Sequence, residues 1–145
     1  MKRVFSIFLL VLIALAAGAQ YGDVPAYNAA PPKKGQKQAP ILPKKDLWGP
    51  HFESPIQVKA YELAARIPDI IYQQPCYCYC DRIGHNSLRS CYETTHAAHC
   101  DACLKELYFA YGEYKKGRTA KQIRADIMAG KWRNLDLAKA SQTLN

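Results

Sequence analysis

The chain lacks the sequence features of most enzymes. Its 145 residues contain no glycine-rich phosphate loop, no Ser-His-Asp grouping and no paired catalytic carboxylates. A chain of this length has room for one small domain, which excludes separate cofactor and substrate domains. We therefore predict that the protein is not a hydrolase or transferase, and that any enzymatic role would be thiol–disulfide exchange.

A concentrated positive face is also lacking, although the formal net charge is +8. From His51 onward, thirteen Lys and Arg stand against ten Asp and Glu, whereas residues 20–50 hold five Lys against two Asp. The positive charge thus belongs mainly to the N-terminal third of the chain. Because nucleic-acid binding needs clustered Lys and Arg, no nucleic-acid partner is expected.

Long apolar runs are missing everywhere except at the N-terminus. A positive start, Met1–Arg3, precedes an uncharged apolar run over residues 4–17 and the small residues Ala17–Ala19. This order is typical of a secretory signal, and the run is shorter than the roughly 20 residues of a membrane span. We predict a signal peptide at residues 1–19 and an exported protein, periplasmic or extracellular, without a membrane span once the signal is removed.

Six of the nine prolines lie in residues 20–50, where apolar residues show neither helical nor strand spacing. This composition predicts a largely disordered Pro/Lys-rich linker. A Cys/His-rich helical domain is predicted at residues 51–135, followed by a tail at residues 136–145.

Helical signals recur through the predicted domain, and strand signals are weak. A first helix should begin at Ser54, before a proline, and end or kink at Pro68. Apolar residues three and four apart predict a long helix over residues 97–116, and a capping box at Thr119 predicts a last helix over residues 120–129. We predict an all-α fold: a small bundle of about 3–4 helices with an irregular Cys-rich loop.

Cysteine and histidine are concentrated in one segment. All six cysteines and three of the four histidines lie within the 28 positions from residue 76 to residue 103. In an extended chain, Cys76, Cys78 and Cys80 would point to one face, because residues two apart do so.

The second half of this segment predicts a matching set of ligands on a helix. His96, Cys100 and Cys103 would lie one above another at helical spacing. If the extended row packs against this helix, sulfur and imidazole ligands converge. The candidate metal ligands are Cys76, Cys78, Cys80, His85, Cys91, His96, Cys100 and Cys103.

Thiolates combined with imidazoles prefer Cu(I) and Zn(II). We predict a metal-binding protein, with Cu(I) first and Zn(II) second, that sequesters, buffers or delivers metal in the cell envelope, where a protein partner is possible. Two alternatives stay open. An even number of cysteines in a small exported domain also fits a structural or interaction domain stapled by three disulfides. Cys100 and Cys103 also fit the reactive pair of an envelope thiol–disulfide protein, in which the pKa of Cys100 should be depressed.

The run Pro75-Cys76-Tyr77-Cys78-Tyr79-Cys80, followed by Gly84-His85, Ser87-Leu88 and a downstream cysteine pair, resembles the uncharacterised bacterial family named for its PCYCGC motif. The likeness covers about residues 54–133, although Tyr79 stands where that name has Gly, and the lipoprotein cysteine of many relatives is lacking. The resemblance implies an exported helical Cys-rich module and no established activity.

A weaker likeness concerns the C-terminal helices. Cys100 and Cys103 followed by residues 116–123 look like the CxxC and helical hairpin of cytochrome c maturation thiol reductases, without the LRC-type flanking sequence. This likeness implies only the redox alternative.

Overall fold

The fold is built from helices. The computed structural model describes residues 23–144, which contain five α-helices and no β-strand. The helices are α1 (Pro55–Arg66), α2 (Pro68–Tyr72), α3 (Asp101–Lys115), α4 (Ala120–Met128) and α5 (Leu137–Thr143). Short 3-10 helices lie at Lys44–Asp46, Cys80–Ile83, Leu88–Tyr92 and Thr95–His99. The all-α prediction is confirmed, with more helices than the three or four expected; the predicted signal segment, residues 1–19, lies outside the described residues.

Helix α1 begins and ends as its sequence predicts. The Ser54 hydroxyl accepts a hydrogen bond from the Ile56 N–H at 3.2 Å, and the Gln57 side chain accepts one from the Ser54 N–H at 2.9 Å. Such a cap stabilises a helix by about 1 kcal/mol. Because Pro68 lacks an N–H to continue the ladder, α1 stops at Arg66 and α2 starts afresh.

The helix predicted over residues 97–116 does not start where predicted, because this segment forms two separate helices, each with its own N-cap. Thr94 caps the 3-10 helix Thr95–His99. Cys100 then adopts an extended conformation, and its sulfur accepts a hydrogen bond from the Cys103 N–H at 3.3 Å. His96 and Cys103 therefore lie on different helices, and the predicted helical spacing of the second ligand set does not occur.

Helices α1 and α3 form the centre of the core. Tyr61 and Leu63 from α1 pack with Leu107 and Tyr108 from α3, and all four are buried. The Tyr108 hydroxyl donates to the Ile56 carbonyl at 2.9 Å. Since α3 starts at the Cys-rich segment, this packing fixes one wall of the predicted metal site.

The C-terminal part contains one predicted helix and one that the sequence analysis missed. Helix α4 has the predicted Thr119 capping box and stops just before Gly130, whose φ of 74° is a left-handed conformation that glycine adopts freely. The predicted tail contains α5, capped by Asp136. Ala140 of this helix is buried in the core, so the segment belongs to the folded unit.

The described part of the predicted linker contains one short 3-10 helix, is otherwise mostly exposed and irregular, and contacts the helical domain at several points. The Leu42 N–H donates to the Tyr92 carbonyl at 2.9 Å, and the Asn28 amide donates to the Tyr72 carbonyl at 3.1 Å. Leu47 is buried. Proline-rich chain can take part in tertiary packing when its few apolar and polar groups find partners.

Among residues 23–144, each helix is too short or too polar to cross a bilayer.

Candidate metal centre

The first cysteine segment forms a turn, so the predicted extended row of sulfurs is wrong. The Tyr79 N–H donates to the Cys76 carbonyl at 3.1 Å, and Tyr79 has a φ of 56°. A non-glycine residue in this left-handed conformation is uncommon, which is why alternation alone could not predict it. Beyond the turn, the Cys80 sulfur lies 3.2 Å from that of Cys91 and stays within 4.8 Å of the Cys76 and Cys78 sulfurs.

Three sulfur atoms meet between this turn and the start of α3. The Cys76 sulfur lies 3.3 Å from that of Cys78 and 3.3 Å from that of Cys103. The Cys78 and Cys103 sulfurs are 3.6 Å apart. We call these three residues the three-sulfur group; it joins residues far apart in the sequence.

Two cysteines and two histidines form a second group beside the first. The Cys80 and Cys91 sulfurs are 3.2 Å apart, and the His85 Nδ1 atom lies 3.4 Å from the Cys91 sulfur. The His96 ring meets the His85 ring edge-to-face, with centroids 4.9 Å apart. We call these four residues the Cys2His2 group; their ligand atoms all lie within 4.8 Å of one another.

The two groups are continuous. The sulfurs of Cys76, Cys78, Cys80 and Cys91 lie within 4.8 Å of one another, as do the ligand atoms of Cys78, Cys91, His96 and Cys103. Cys91 thus belongs to each of these three sets of four ligand atoms among the described residues, whose members lie within 4.8 Å of one another. The structure therefore brings together, at metal-binding distance, seven of the eight residues predicted from the sequence.

The distances between the sulfurs suit a shared ion. With Zn–S bonds of about 2.3 Å, two sulfurs on one tetrahedral ion are about 3.8 Å apart. The 3.3–3.6 Å separations in the three-sulfur group need small side-chain shifts to reach that value. They are much longer than the S–S bond of about 2.05 Å, so none of the six cysteines is paired in a disulfide in this structure.

Cys100 lies outside the ligand groups. Its sulfur caps α3, as described above, and it influences the site through hydrogen bonding to the Cys78 thiolate. His99 is exposed, and its Nε2 atom lies 2.8 Å from Nδ1 of the exposed His51. These two histidines, which were not among the candidate ligands, form a separate surface pair.

Hydrogen bonds among the thiols favour negative charge on two of the sulfurs. The thiols of Cys100, Cys103 and Cys76 donate to Cys78 and hold its pKa far below the usual range. Hydrogen bonds from Cys76 and Cys91 lower the pKa of Cys80 to about 3. Thiolate is the form that binds metal, so these hydrogen bonds favour the metal-binding form of Cys78 and Cys80.

Glu106 carries a buried carboxyl group that was not predicted from the sequence as part of the site. Its side chain accepts a hydrogen bond from the Tyr77 N–H at 2.8 Å, which fixes the cysteine turn to α3. Burial raises the pKa of Glu106 to about 8. The second carboxylate oxygen, Oε2, is buried without a hydrogen-bond partner. A signal existed, because Glu106 follows Cys103 by three positions and so lies on the buried face of α3.

Protein surrounds most of the cluster. Cys91 and Cys103 are fully buried, and Cys76 is 3% exposed, whereas Cys78 is half-buried. Part of the cover comes from the N-terminal segment. Pro25 lines the same crevice as Cys80 and His85, and the next residue donates its N–H to the Asp81 carboxylate at 3.1 Å. Among the five cysteines of the ligand groups, Cys78 alone is not buried.

No protein-family model, curated protein or solved structure matches this chain. The resemblance to the PCYCGC proteins stays a prediction from the motif. The fold and the site define a small all-helical protein whose clustered cysteine and histidine side chains can hold a metal ion.

Proposed function

We propose that this protein is exported and binds metal in the cell envelope, with Cu(I) as its first ion and Zn(II) as its second. Its role would be to sequester the ion or to deliver it to an envelope protein. The observation that carries the proposal is the convergence of ligands from separate segments: Cys76 and Cys78 from the turn, Cys91 from a 3-10 helix and Cys103 from α3.

The kind of ligand supports Cu(I) over harder cations. Five sulfurs and two imidazoles make up the ligand groups, and neither kind of ligand favours Mg²⁺ or Ca²⁺. The three-sulfur group in particular offers soft thiolates alone, which select Cu(I). The Cys2His2 group is also a common zinc ligand set, which is why Zn(II) comes second.

The disulfide alternative has less support from the geometry. A disulfide joins sulfurs in exclusive pairs, but Cys76 lies equally close to Cys78 and Cys103, at 3.3 Å from each. An ion placed among three sulfurs uses all of them, whereas a disulfide uses two. The equal spacing therefore favours metal binding.

The redox alternative predicts a depressed pKa at Cys100, and the surroundings of this sulfur favour the opposite direction. A hydrogen bond with Cys103 lowers the pKa of Cys100, but the neighbouring Cys78 and burial outweigh it and raise the pKa to about 11. A reactive thiol needs a large thiolate fraction at neutral pH. Cys100 would therefore be a poor attacking group for thiol exchange.

Two histidines near the start of α3 provide a matched test of metal binding. His96→Ala removes a ligand atom from the cluster, whereas His99→Ala removes an exposed ring outside it. We expect the first variant to bind Cu(I) at least about 10-fold more weakly than wild type, and the second to be unchanged. Competition against a colorimetric Cu(I) chelator, without oxygen, measures both affinities.

The same assay tests the order of the ions. Cu(I) added to the zinc-loaded protein should release the zinc, because thiolate ligands prefer the softer ion. Equal affinities of the two histidine variants for Cu(I) would contradict the site, and zinc retained against Cu(I) would contradict copper as the first ion.

A further inference from the structure

The cluster contains more ligand atoms than one ion can use. Zn(II) takes four protein ligands in a closed site, and Cu(I) in sulfur sites takes no more. Seven ligand atoms lie together here in three overlapping groups. A first ion would therefore leave at least three of them unused.

The ligands left unused by a first ion would form a site of their own. If that ion takes the Cys2His2 group, then Cys76, Cys78 and Cys103 are left, and their sulfurs are only 3.3–3.6 Å apart. If it takes the three-sulfur group, the Cys2His2 group is left, with all its ligand atoms within 4.8 Å. Each group is complete without the other.

Charge also favours more than one ion. Thiolates this close repel one another strongly in a buried site, where the dielectric constant is low. A single monovalent ion would offset only one of the negative charges. A second ion offsets another, and a sulfur shared by both ions reduces the repulsion further.

The overlap of the groups identifies the sulfurs that can be shared. Cys91 lies within 4.8 Å of all three sulfurs of the three-sulfur group. Cys78 lies within 4.8 Å of three members of the Cys2His2 group, whereas Cys76 and Cys103 each share a set of four with two of them. Both sulfurs therefore occupy the boundary between the two sites. A thiolate has more than one lone pair, so it can bind two ions at once.

We propose that the centre binds at least two Cu(I) ions, one in the three-sulfur group and one in the Cys2His2 group, bridged by the thiolates of Cys78 and Cys91. This inference rests on the proposed function, since it specifies how many ions that site holds. It assigns the protein a polynuclear copper–thiolate cluster in place of a single-ion site.

An oxygen-free titration of the reduced protein with Cu(I), against a chromophoric chelator, counts the bound ions. We expect at least two ions per chain in wild type. Cys103→Ser should lose the ion of the three-sulfur group and keep the other; the double variant His85→Ala/His96→Ala should do the reverse. The control is the double variant His51→Ala/His99→Ala, which removes the surface histidine pair and should match wild type.

A second measurement does not depend on the variants folding. X-ray absorption at the copper edge of fully loaded wild type should show a short metal–metal scattering path, because bridged ions lie close together. A single bound ion, or two ions without that path, would overturn the bridged cluster and leave the proposed function standing. Loss of both ions from each variant would overturn the division into two sites. No bound copper at all would overturn both proposals.

Discussion

Replacing Cys91 with serine is expected to lower the affinity for Cu(I) more than any other single change in the cluster, by at least about 100-fold. Cys91 belongs to each of the three sets of four neighbouring ligand atoms among the described residues, and it contacts both the Cys80 sulfur and the His85 ring. A serine oxygen is a hard ligand that does not replace a thiolate for Cu(I). The loss is measured by chelator competition on reduced protein.

The matched control is Cys100→Ser, the same substitution at a cysteine outside the ligand groups. It should change the affinity much less, although the cap of α3 is weakened. Because Cys91 is fully buried, Cys91→Ala is a useful second variant, since it places no hydroxyl in the core and should show the same loss. Equal losses from the changes at Cys91 and Cys100 would contradict the arrangement of ligands described here.

Replacing Glu106 with alanine is expected to weaken Cu(I) binding by about 10–100-fold although this side chain is not proposed as a ligand. Its side-chain oxygen accepts a hydrogen bond from the N–H of Tyr77, the residue between Cys76 and Cys78 in the turn. Alanine removes this part-buried hydrogen bond, which contributes about 1 kcal/mol. The variant should also unfold at a lower temperature, as circular dichroism can measure.

Glu106→Gln separates the hydrogen bond from the bulk of the side chain. Glutamine keeps an oxygen that can accept from Tyr77, and it fills nearly the same space. We expect this variant to bind Cu(I) within a few-fold of wild type. If alanine and glutamine weaken binding equally, the carboxylate does not act by positioning the turn.

Local signals predicted the parts of the fold that depend on short-range chemistry. The Ser54 cap and the Thr119 capping box each specify a helix start through hydrogen bonds within a few residues. The cysteines and histidines of the site were also predicted correctly as a group in space, because they crowd into one short segment of the chain.

Features that depend on tertiary contacts were not predictable in the same way. Tyr79 adopts a left-handed turn that its residue type disfavours. Cys100 caps α3 with sulfur, although hydroxyl and carboxylate side chains are the usual caps. Helix α5 has too few residues to be stable alone, and it depends on burying Ala140 against the core.

The wrong predictions concern the path of the backbone, and the ligands come together in space nevertheless. The turn at Tyr79 replaces the predicted row of three sulfurs with two sulfurs facing Cys103 and one facing Cys91. The break at Cys100 separates His96 from α3. The result is two adjoining ligand groups where the sequence suggested one, and that division is the basis for proposing more than one ion.

The most direct test is to recover the protein from its own compartment without oxygen and to determine, by native mass spectrometry, its bound metal and its free thiols together. We expect copper bound to a chain whose six cysteines are all recovered as thiols after the metal is removed. Three disulfides in a metal-free chain would contradict a metal centre at these sulfurs.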